Sequence, residues 1–183
     1  PSGEGARLMA ACAVEALKKS GALNNAVVAK PKLEKDAYDW YKRHSDVKAQ
    51  IAVKAPDLVF IGDSITHMWG GLPKTRFPVK GGAIWQKRYA PRNAVNMGFG
   101  WDRTQNVLWR LNNGEFDNIK PKVVCLMIGT NNLSGTVNAR NNTPAEIAEG
   151  IEAICEMIHT KSPKTKILLQ GILPRRWEVD HPW

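Results

Sequence analysis

The 183-residue sequence has no long hydrophobic run, few cysteines and no repeated segment. Its longest apolar runs, at 57–62 and 123–129, are far shorter than the roughly 20 residues that a membrane-spanning helix needs. The three cysteines are widely spaced and form no CxxC motif, which argues against a disulfide framework and a zinc site. These absences predict a domain with no membrane span and no bound metal.

A nucleic-acid recognition motif is also missing, although the formal net charge is +9. The basic residues occur as scattered pairs, such as Lys18 with Lys19 and Arg175 with Arg176, and not as a continuous stripe. We interpret them as a solvated surface and predict no nucleic-acid partner. A protein that bound nucleic acid through this charge would lose affinity steeply as salt rises.

What the sequence does contain is an alternation of apolar strands with helical segments, which predicts an α/β fold with a parallel sheet. Apolar runs predict strands at 57–62, 93–98, 122–129 and 165–173. Helices are predicted at 103–114 and after a capping box at Thr143, where isoleucines recur every three or four residues. In such a sheet, reactive groups gather at the carboxyl ends of the strands.

Two further helices are predicted before the first strand, at 6–20 and 33–53. We find no residues in this leading region to which chemistry can be assigned. The sequence therefore predicts a helical extension over 1–55 that packs on a domain formed by 56–183.

Polar or glycine-bearing segments follow the first three strands; they are GDSIT at 62–66, GFGWDRT at 98–104 and GTNN at 129–132. We expect them to meet in one crevice. Ser64 is either a nucleophile displayed at a strand-to-helix turn or a helix N-cap, and the cap is the commoner role for a lone serine. Asn131 either donates its amide to a forming oxyanion or, with Asn132, ties the loop together through Asx turns.

In order and separation, the three segments resemble the first three sequence blocks of the GDSL, or SGNH, hydrolases. The stretch VLWRLNNGEFDNIKPKVVCLMIGTNN is similar to the catalytic subunits of platelet-activating-factor acetylhydrolase Ib and their bacterial relatives. GILPR at 171–175 also matches that family after its fourth strand. The resemblance runs from about Asp57 to Arg175 and implies a three-layer α/β/α sandwich with a central parallel sheet, which is the flavodoxin-like SGNH hydrolase fold.

The resemblance implies that Ser64 is the nucleophile, that its backbone N–H is one oxyanion donor, and that Asn131 supplies a side-chain donor. The family's remaining donor is a backbone N–H, usually on a glycine. A gap-free alignment puts Trp101 at that position, directly after Gly100, and tryptophan enters positive φ less easily than glycine. We expect Asp63 to organise the turn by hydrogen bonds and not to act as the triad acid, because adjacent side chains diverge.

A serine nucleophile needs a histidine base held by a third group, and the family supplies this pair as Asp-x-x-His after the fifth strand. The sequence contains no DxxH motif. None of its histidines is well placed to replace that base; they are His44, His67, His159 and His181. We expect the last strand, its helix and the acid–base pair to lie beyond Trp183, so that the SGNH domain at 56–183 is incomplete. This predicts an unpaired sheet edge and little esterase activity for the 183 residues alone.

Seven tryptophans are present, and Trp69 and Trp101 each follow a predicted strand end. Flat aromatic faces suit sugar rings, although these residues could equally close the core beneath the loops. We therefore predict a serine esterase that removes short acyl groups, acetyl above all, from carbohydrate. One alternative is a short-chain lipid or lysophospholipid esterase, and another is a catalytically inactive binding protein with this fold.

Neither esterase needs a cofactor, and the partner of either is a small-molecule or carbohydrate ester. A homodimer is compatible with the sequence. Localisation is open because a cleaved signal peptide leaves no trace, and the family likeness favours a secreted or periplasmic protein.

Overall fold

A computed structural model describes residues 3–5, 9, 12, 24–75 and 77–174. Its centre is a parallel four-stranded sheet with strand order β2-β1-β3-β4. The strands are β1 (Leu58–Gly62), β2 (Ala94–Gly98), β3 (Val123–Met127) and β4 (Lys166–Leu169). This confirms the predicted parallel α/β fold, although β4 is shorter than the predicted strand at 165–173.

Helices separate the strands; they are α1 (Trp40–Val53), α2 (Ser64–His67), α3 (Gly82–Arg88), α4 (Thr104–Arg110) and α5 (Pro144–Lys161). A π-helical segment, Leu111–Glu115, follows α4, and a 3-10 turn, Thr130–Leu133, follows β3. The helix predicted at 6–20 lies outside the described residues except for Met9 and Cys12. No helix in the described part of the chain is long and apolar enough to cross a membrane.

Capping side chains explain where α1 and α5 begin. The Asp39 carboxylate accepts the N–H of Lys42 at 2.9 Å, so α1 begins at Trp40, later than predicted. Helix α5 begins with the predicted capping box, in which Thr143 and Glu146 each accept the other's backbone N–H.

Alternate strand residues pack on opposite faces of the sheet. On one face, strand residues join α1, α4 and α5 in the main core; they are Val59, Ile61, Val95, Met97, Val124 and Leu126. On the other face, Phe60 and Cys125 form a smaller cluster with Trp85 of α3. Helices therefore cover both faces, as a three-layer sandwich requires.

The region before β1 also contributes to the main core. Trp40, Val47 and Ile51 of α1 are buried among the side chains of that cluster. The division of the chain at residue 55 stays a prediction.

Strand β1 lies between β2 and β3, which places Gly62 level with Gly98 and Met127 at the carboxyl edge of the sheet. A Cβ on Gly62 would lie 2.2 Å from Thr66 Oγ1 and 2.5 Å from the Met127 carbonyl oxygen. Only glycine fits this turn without displacing its neighbours. The three polar segments therefore begin side by side at one edge.

Strand β4 is one of the two lateral edge strands of the described sheet. Among the described residues, β4 pairs with β3 alone, and Leu168 and Leu169 are each more than half exposed. That a further strand docks on this edge stays a prediction.

Candidate active site

The three polar segments form three loops, which we number in chain order: 62–66, 98–104 and 129–132. The first loop presents Ser64 at the start of α2. The N-cap of this helix is Asp63, whose carboxylate accepts the Ile65 N–H at 2.9 Å, so the alternative in which Ser64 is the cap is wrong. Asp63 is 1% exposed, and burial raises its pKa to about 6. Ser64 is half-buried, and within the described residues neither its hydroxyl nor its N–H has a hydrogen-bond partner. No described group therefore competes for the Ser64 hydroxyl.

The second loop presents Trp101 in the left-handed conformation, with φ of 61° and 62% of its surface exposed. The preceding Gly100 N–H donates to His67 Nδ1 at 3.2 Å and is not free to act as an oxyanion donor. Gly100 is therefore not a candidate oxyanion donor. The Trp101 N–H has no acceptor among the residues that the structure describes. Of the two candidates on this loop, Trp101 is the one with an unused donor.

The third loop contains two asparagines in different environments. Asn132 is fully buried, and its Oδ1 accepts the Thr104 N–H at 3.0 Å. The Asn132 Nδ2 also lies 3.0 Å from three side-chain oxygens, those of Thr104, Gln105 and Asn142. Asn131 is half-buried, and its side-chain amide donates to the Asp102 carbonyl oxygen at 2.9 Å. That bond uses one of its two amide hydrogens, so Asn131 retains a second donor.

Hydrogen bonds join the three loops directly. The Phe99 N–H donates to the Gly62 carbonyl oxygen at 2.9 Å, which holds the second loop against the first. The bond from Asn131 to Asp102 holds the third loop against the second. The elements that carry Ser64, Trp101 and Asn131 are therefore neighbours.

His67 is not placed to act as a base for Ser64. Its ring is fully buried, with Nδ1 accepting the Gly100 N–H and Nε2 lying 3.0 Å from Thr75 Oγ1. Burial, followed by the charges of two nearby arginines, lowers the pKa of His67 to about 2. His67 is therefore a neutral side chain whose two ring nitrogens are both engaged.

The other histidines are also engaged or distant. His44 Nδ1 lies 2.7 Å from Glu115 Oε1 inside the protein. His159 is exposed near the end of α5, at the amino edge of the sheet and across from Ser64. His181 lies outside the described residues. The described residues also contain no group of His, Cys, Asp and Glu that could hold a metal ion.

A buried ionic layer beneath the second loop was not predicted. The Asp102 carboxylate accepts from Trp40 Nε1 at 2.7 Å and from Arg110 Nε at 2.9 Å, and Arg110 also pairs with Glu115. The Arg110 guanidinium lies 3.8 Å from the centre of the Phe99 ring. The sequence signal that could have predicted this layer is the position of Arg110, a charged residue within the apolar stretch VLWRL.

A second arginine holds the third loop. Arg103 Nε donates to the Asn131 carbonyl oxygen and Nη2 to the Asn132 carbonyl oxygen, each at 3.1 Å. Nη2 also donates to the carbonyl oxygens of Ser134 and Arg140. A single basic side chain therefore shapes the loop that presents Asn131.

The two tryptophans proposed as stacking platforms differ. Trp69 is half-buried in the smaller core cluster, with its ring centre 5.9 Å from that of Tyr89 and its edge against Gly81. Trp69 therefore closes the core beneath a loop, and of these two tryptophans only Trp101 offers an exposed indole.

Comparison with known proteins agrees with the sequence blocks. Residues 60–182 match the profile of the GDSL-like Lipase/Acylhydrolase family. Over 136 residues, the chain is 40% identical to the platelet-activating factor acetylhydrolase IB subunit alpha2 of Homo sapiens and 35% identical to subunit alpha1 of Bos taurus. These matches cover 74% of this chain and 52% and 51% of the two relatives. The chain thus spans about half the length of the curated relatives it matches.

Among solved structures, a protein from Parabacteroides merdae described as a GDSL-like lipase is 21% identical, with a TM-score of 0.47 over 63% of this chain and 59% of that chain. The resemblance noted in the sequence is confirmed by the profile match, which takes in most of the sequence. The chain belongs to the GDSL-like lipase/acylhydrolase family.

Proposed function

We propose that this protein is a serine esterase that hydrolyses short acyl esters, with Ser64 as its nucleophile. The observation that carries the proposal is the meeting of three adjacent loops, each of which keeps an unused polar group at the carboxyl edge of the sheet. These groups are the hydroxyl and N–H of Ser64, the N–H of Trp101 and the second amide hydrogen of Asn131. They supply the nucleophile and the oxyanion donors that acyl transfer needs.

In the proposed reaction, Ser64 Oγ attacks the ester carbonyl carbon, and the carbonyl oxygen takes the electron pair. The N–H groups of Ser64 and Trp101 and the amide of Asn131 donate to that oxyanion. The alcohol then leaves with a proton, and water hydrolyses the acyl-serine. Stabilisation of the oxyanion by donors held in place in advance lowers the barrier of both steps.

The proton of Ser64 needs an acceptor, and the described histidines do not supply one. His44 and His67 are held by buried partners, and His159 lies at the opposite edge of the sheet. We therefore propose that the general base is a histidine outside the described residues.

For the substrate, we propose an acetyl ester of a carbohydrate. The exposed indole of Trp101 beside the proposed oxyanion donors supports a ring-shaped alcohol group that stacks on it. A short-chain lipid ester is the second candidate, and it is favoured by relatives whose names specify platelet-activating factor acetylhydrolase subunits.

The test combines covalent labelling with turnover in the full-length protein. We expect a fluorophosphonate probe to label the wild type and the Ser64→Ala variant to lose both labelling and p-nitrophenyl acetate hydrolysis. Ser45→Ala, which changes an exposed serine on α1, is the matched control and should behave as wild type. A folded wild type that is neither labelled nor active would favour an inactive binding protein.

Substrate preference needs a separate comparison. We expect a higher kcat/KM on acetylated xylan oligosaccharides than on glycerol esters of medium-chain acids. The reverse order would favour the lipid esterase.

A further inference from the structure

The peptide between Gly100 and Trp101 is held by side chains from the region before α1. The Gly100 carbonyl oxygen accepts from Lys32 Nζ at 3.1 Å and from the Tyr38 hydroxyl at 3.0 Å. Both donors belong to the region to which the sequence assigned no chemistry.

Lys32 is an unusual lysine because only 5% of its surface is exposed. Its Nζ pairs with Asp36 at 2.9 Å, and the Asp36 side chain is equally buried. The desolvation of a buried ion pair offsets much of its attraction, so such a pair is a poor source of stability. The position of Lys32 is better explained by the carbonyl oxygen that it contacts.

That contact fixes the direction of the next N–H. In a trans peptide, the carbonyl C=O and the following N–H point in opposite directions. Within the described residues the only cis bond is Leu72–Pro73, so the Gly100–Trp101 peptide is trans. Two donors on the Gly100 oxygen therefore orient the Trp101 N–H away from Lys32 and Tyr38. A cation on the carbonyl oxygen also polarises the peptide and makes its N–H a stronger donor.

The loop needs this support because its own sequence is poorly suited to its shape. Trp101 has a φ of 61°, a region that disfavours side chains with a Cβ, and its indole is too exposed to anchor it. Two contacts from outside the loop compensate for the missing glycine.

We propose that Lys32, Asp36 and Tyr38 form a positioning clamp that orients and polarises the Trp101 N–H for the anionic intermediate. The proposal rests on the proposed function, in which that N–H is an oxyanion donor. Asp36 holds Lys32 in place, and Lys32 and Tyr38 contact the peptide. None of the three needs to touch the substrate.

Tyr38 suits this role because it remains a donor. Burial, and after it the charges of Asp102 and Asp36, raises the pKa of Tyr38 above its ordinary value, so its hydroxyl keeps its proton. Its ring packs edge-on against His67 and Phe77 through contacts that phenylalanine would keep.

Two variants test the clamp in the full-length protein. Tyr38→Phe removes one donor, and Lys32→Met/Asp36→Asn removes the other without leaving a buried charge unpaired. We expect kcat on p-nitrophenyl acetate to fall about 3-fold in the first and about 10-fold in the second, less than the loss of a whole oxyanion donor, with KM unchanged. Affinity for a boronic acid that forms a tetrahedral adduct with Ser64 should fall in parallel.

The control is Lys42→Met/Asp46→Asn, which removes an exposed lysine–aspartate pair of the same spacing on α1. This variant should keep the wild-type kcat. All rates are measured below the onset of unfolding, where a merely structural role would lower the melting temperature but leave kcat and inhibitor affinity unchanged. Wild-type kcat in both clamp variants, with activity still lost in Ser64→Ala, would overturn the clamp and leave the esterase intact.

A readout that needs no turnover separates the two proposals. The backbone amide resonance of Trp101 should shift in both clamp variants and stay in place in the Lys42→Met/Asp46→Asn control. If the wild type hydrolyses no ester, the proposed function fails while this resonance still tests the clamp. An unshifted Trp101 amide in both clamp variants refutes it, whatever the activity.

Discussion

In each loop of the proposed site, two adjacent residues differ in their hydrogen bonding. The polar groups of one are hydrogen-bonded inside the protein, whereas the other keeps a polar group without a described partner. The pairs are Asp63 with Ser64, Gly100 with Trp101, and Asn132 with Asn131. We call the first member of each pair, together with the ionic layer of Asp102, Arg110 and Glu115, the anchoring layer. We call the second members the rim.

The difference indicates that stability and chemistry belong to separate residues one position apart. Changes in the anchoring layer should lower the free energy of unfolding, because they leave buried polar groups without partners. Loss of the nucleophile or of an oxyanion donor in the rim should lower turnover at nearly constant stability. The predictions below measure the free energy of unfolding, the turnover, or both.

The largest expected effect is that of Arg110→Met in the anchoring layer. Arg110 pairs with both Asp102 and Glu115, and all three side chains are fully buried. Its loss leaves two buried carboxylates without their guanidinium partner, although Asp102 keeps its contact with Trp40 and Glu115 its contact with His44. The free energy of unfolding, measured by urea titration, should fall by about 3 to 5 kcal/mol. Lys42→Met, which breaks an exposed pair, is the control and should leave that free energy unchanged. Equal effects in the two variants would contradict the existence of an anchoring layer.

Asn131→Ala should have the largest effect on the rim after loss of Ser64 itself. Removal of an oxyanion donor lowers kcat by about 10² to 10³-fold. The stability cost should be about 1 kcal/mol, because the half-buried amide makes one described hydrogen bond. The measurement is kcat on p-nitrophenyl acetate together with the unfolding free energy. Unchanged kcat would remove Asn131 from the site.

Asn132→Ala should give the opposite result at the adjacent position. The buried amide has four polar contacts, and its loss strands the Thr104 N–H, so we expect a destabilisation of about 3 kcal/mol. Turnover per folded molecule should fall far less than in Asn131→Ala. If kcat falls equally in the two variants, the two asparagines do not divide stability from chemistry.

Much of the fold could be predicted because its signals are local. Apolar runs marked all four strands, and the capping box marked the start of α5. The predicted start of α1 was too early. The segment before Asp39 is not helical, and it places Lys32 and Tyr38 against the Gly100 carbonyl oxygen.

The site was predictable only in part, for a physical reason. The order of the sequence blocks indicated Ser64, Trp101 and Asn131. It did not indicate which neighbouring polar groups are hydrogen-bonded inside the protein. The Gly100 carbonyl oxygen is held by Lys32 from 68 positions away, and such a contact depends on how loops cross in space. A periodic pattern in a single sequence contains no information on that crossing.

A pH profile tests the anchor of the first loop. Burial raises the pKa of Asp63 from 3.8 to about 6, so the native state binds this proton more tightly than the unfolded state. Its contribution to stability is therefore fully present below about pH 4 and is lost as pH rises towards 6. Asp63→Asn keeps a capping side chain but has no proton to lose. Between pH 4 and pH 7, the wild type should lose about 2 to 3 kcal/mol more stability than Asp63→Asn. Parallel profiles in urea titrations would show that the Asp63 carboxylate is not destabilised by burial.

The smallest expected effect separates the Trp101 N–H from its indole. Trp101→Gly and Trp101→Ala both keep the N–H and lose the ring, and glycine should be the more stable variant by about 1 kcal/mol because it accepts positive φ. On p-nitrophenyl acetate, both should keep kcat within about 3-fold, since the oxyanion donor is unchanged.

On an acetylated sugar, KM should rise about 5-fold in both Trp101 variants, which corresponds to the loss of about 1 kcal/mol of stacking. A fall in kcat on p-nitrophenyl acetate as large as that of Asn131→Ala would mean that the indole, and not the backbone N–H, is what this loop contributes. In that case the clamp on the Gly100 carbonyl would serve to aim a side chain, and the rim would hold two oxyanion donors in place of three.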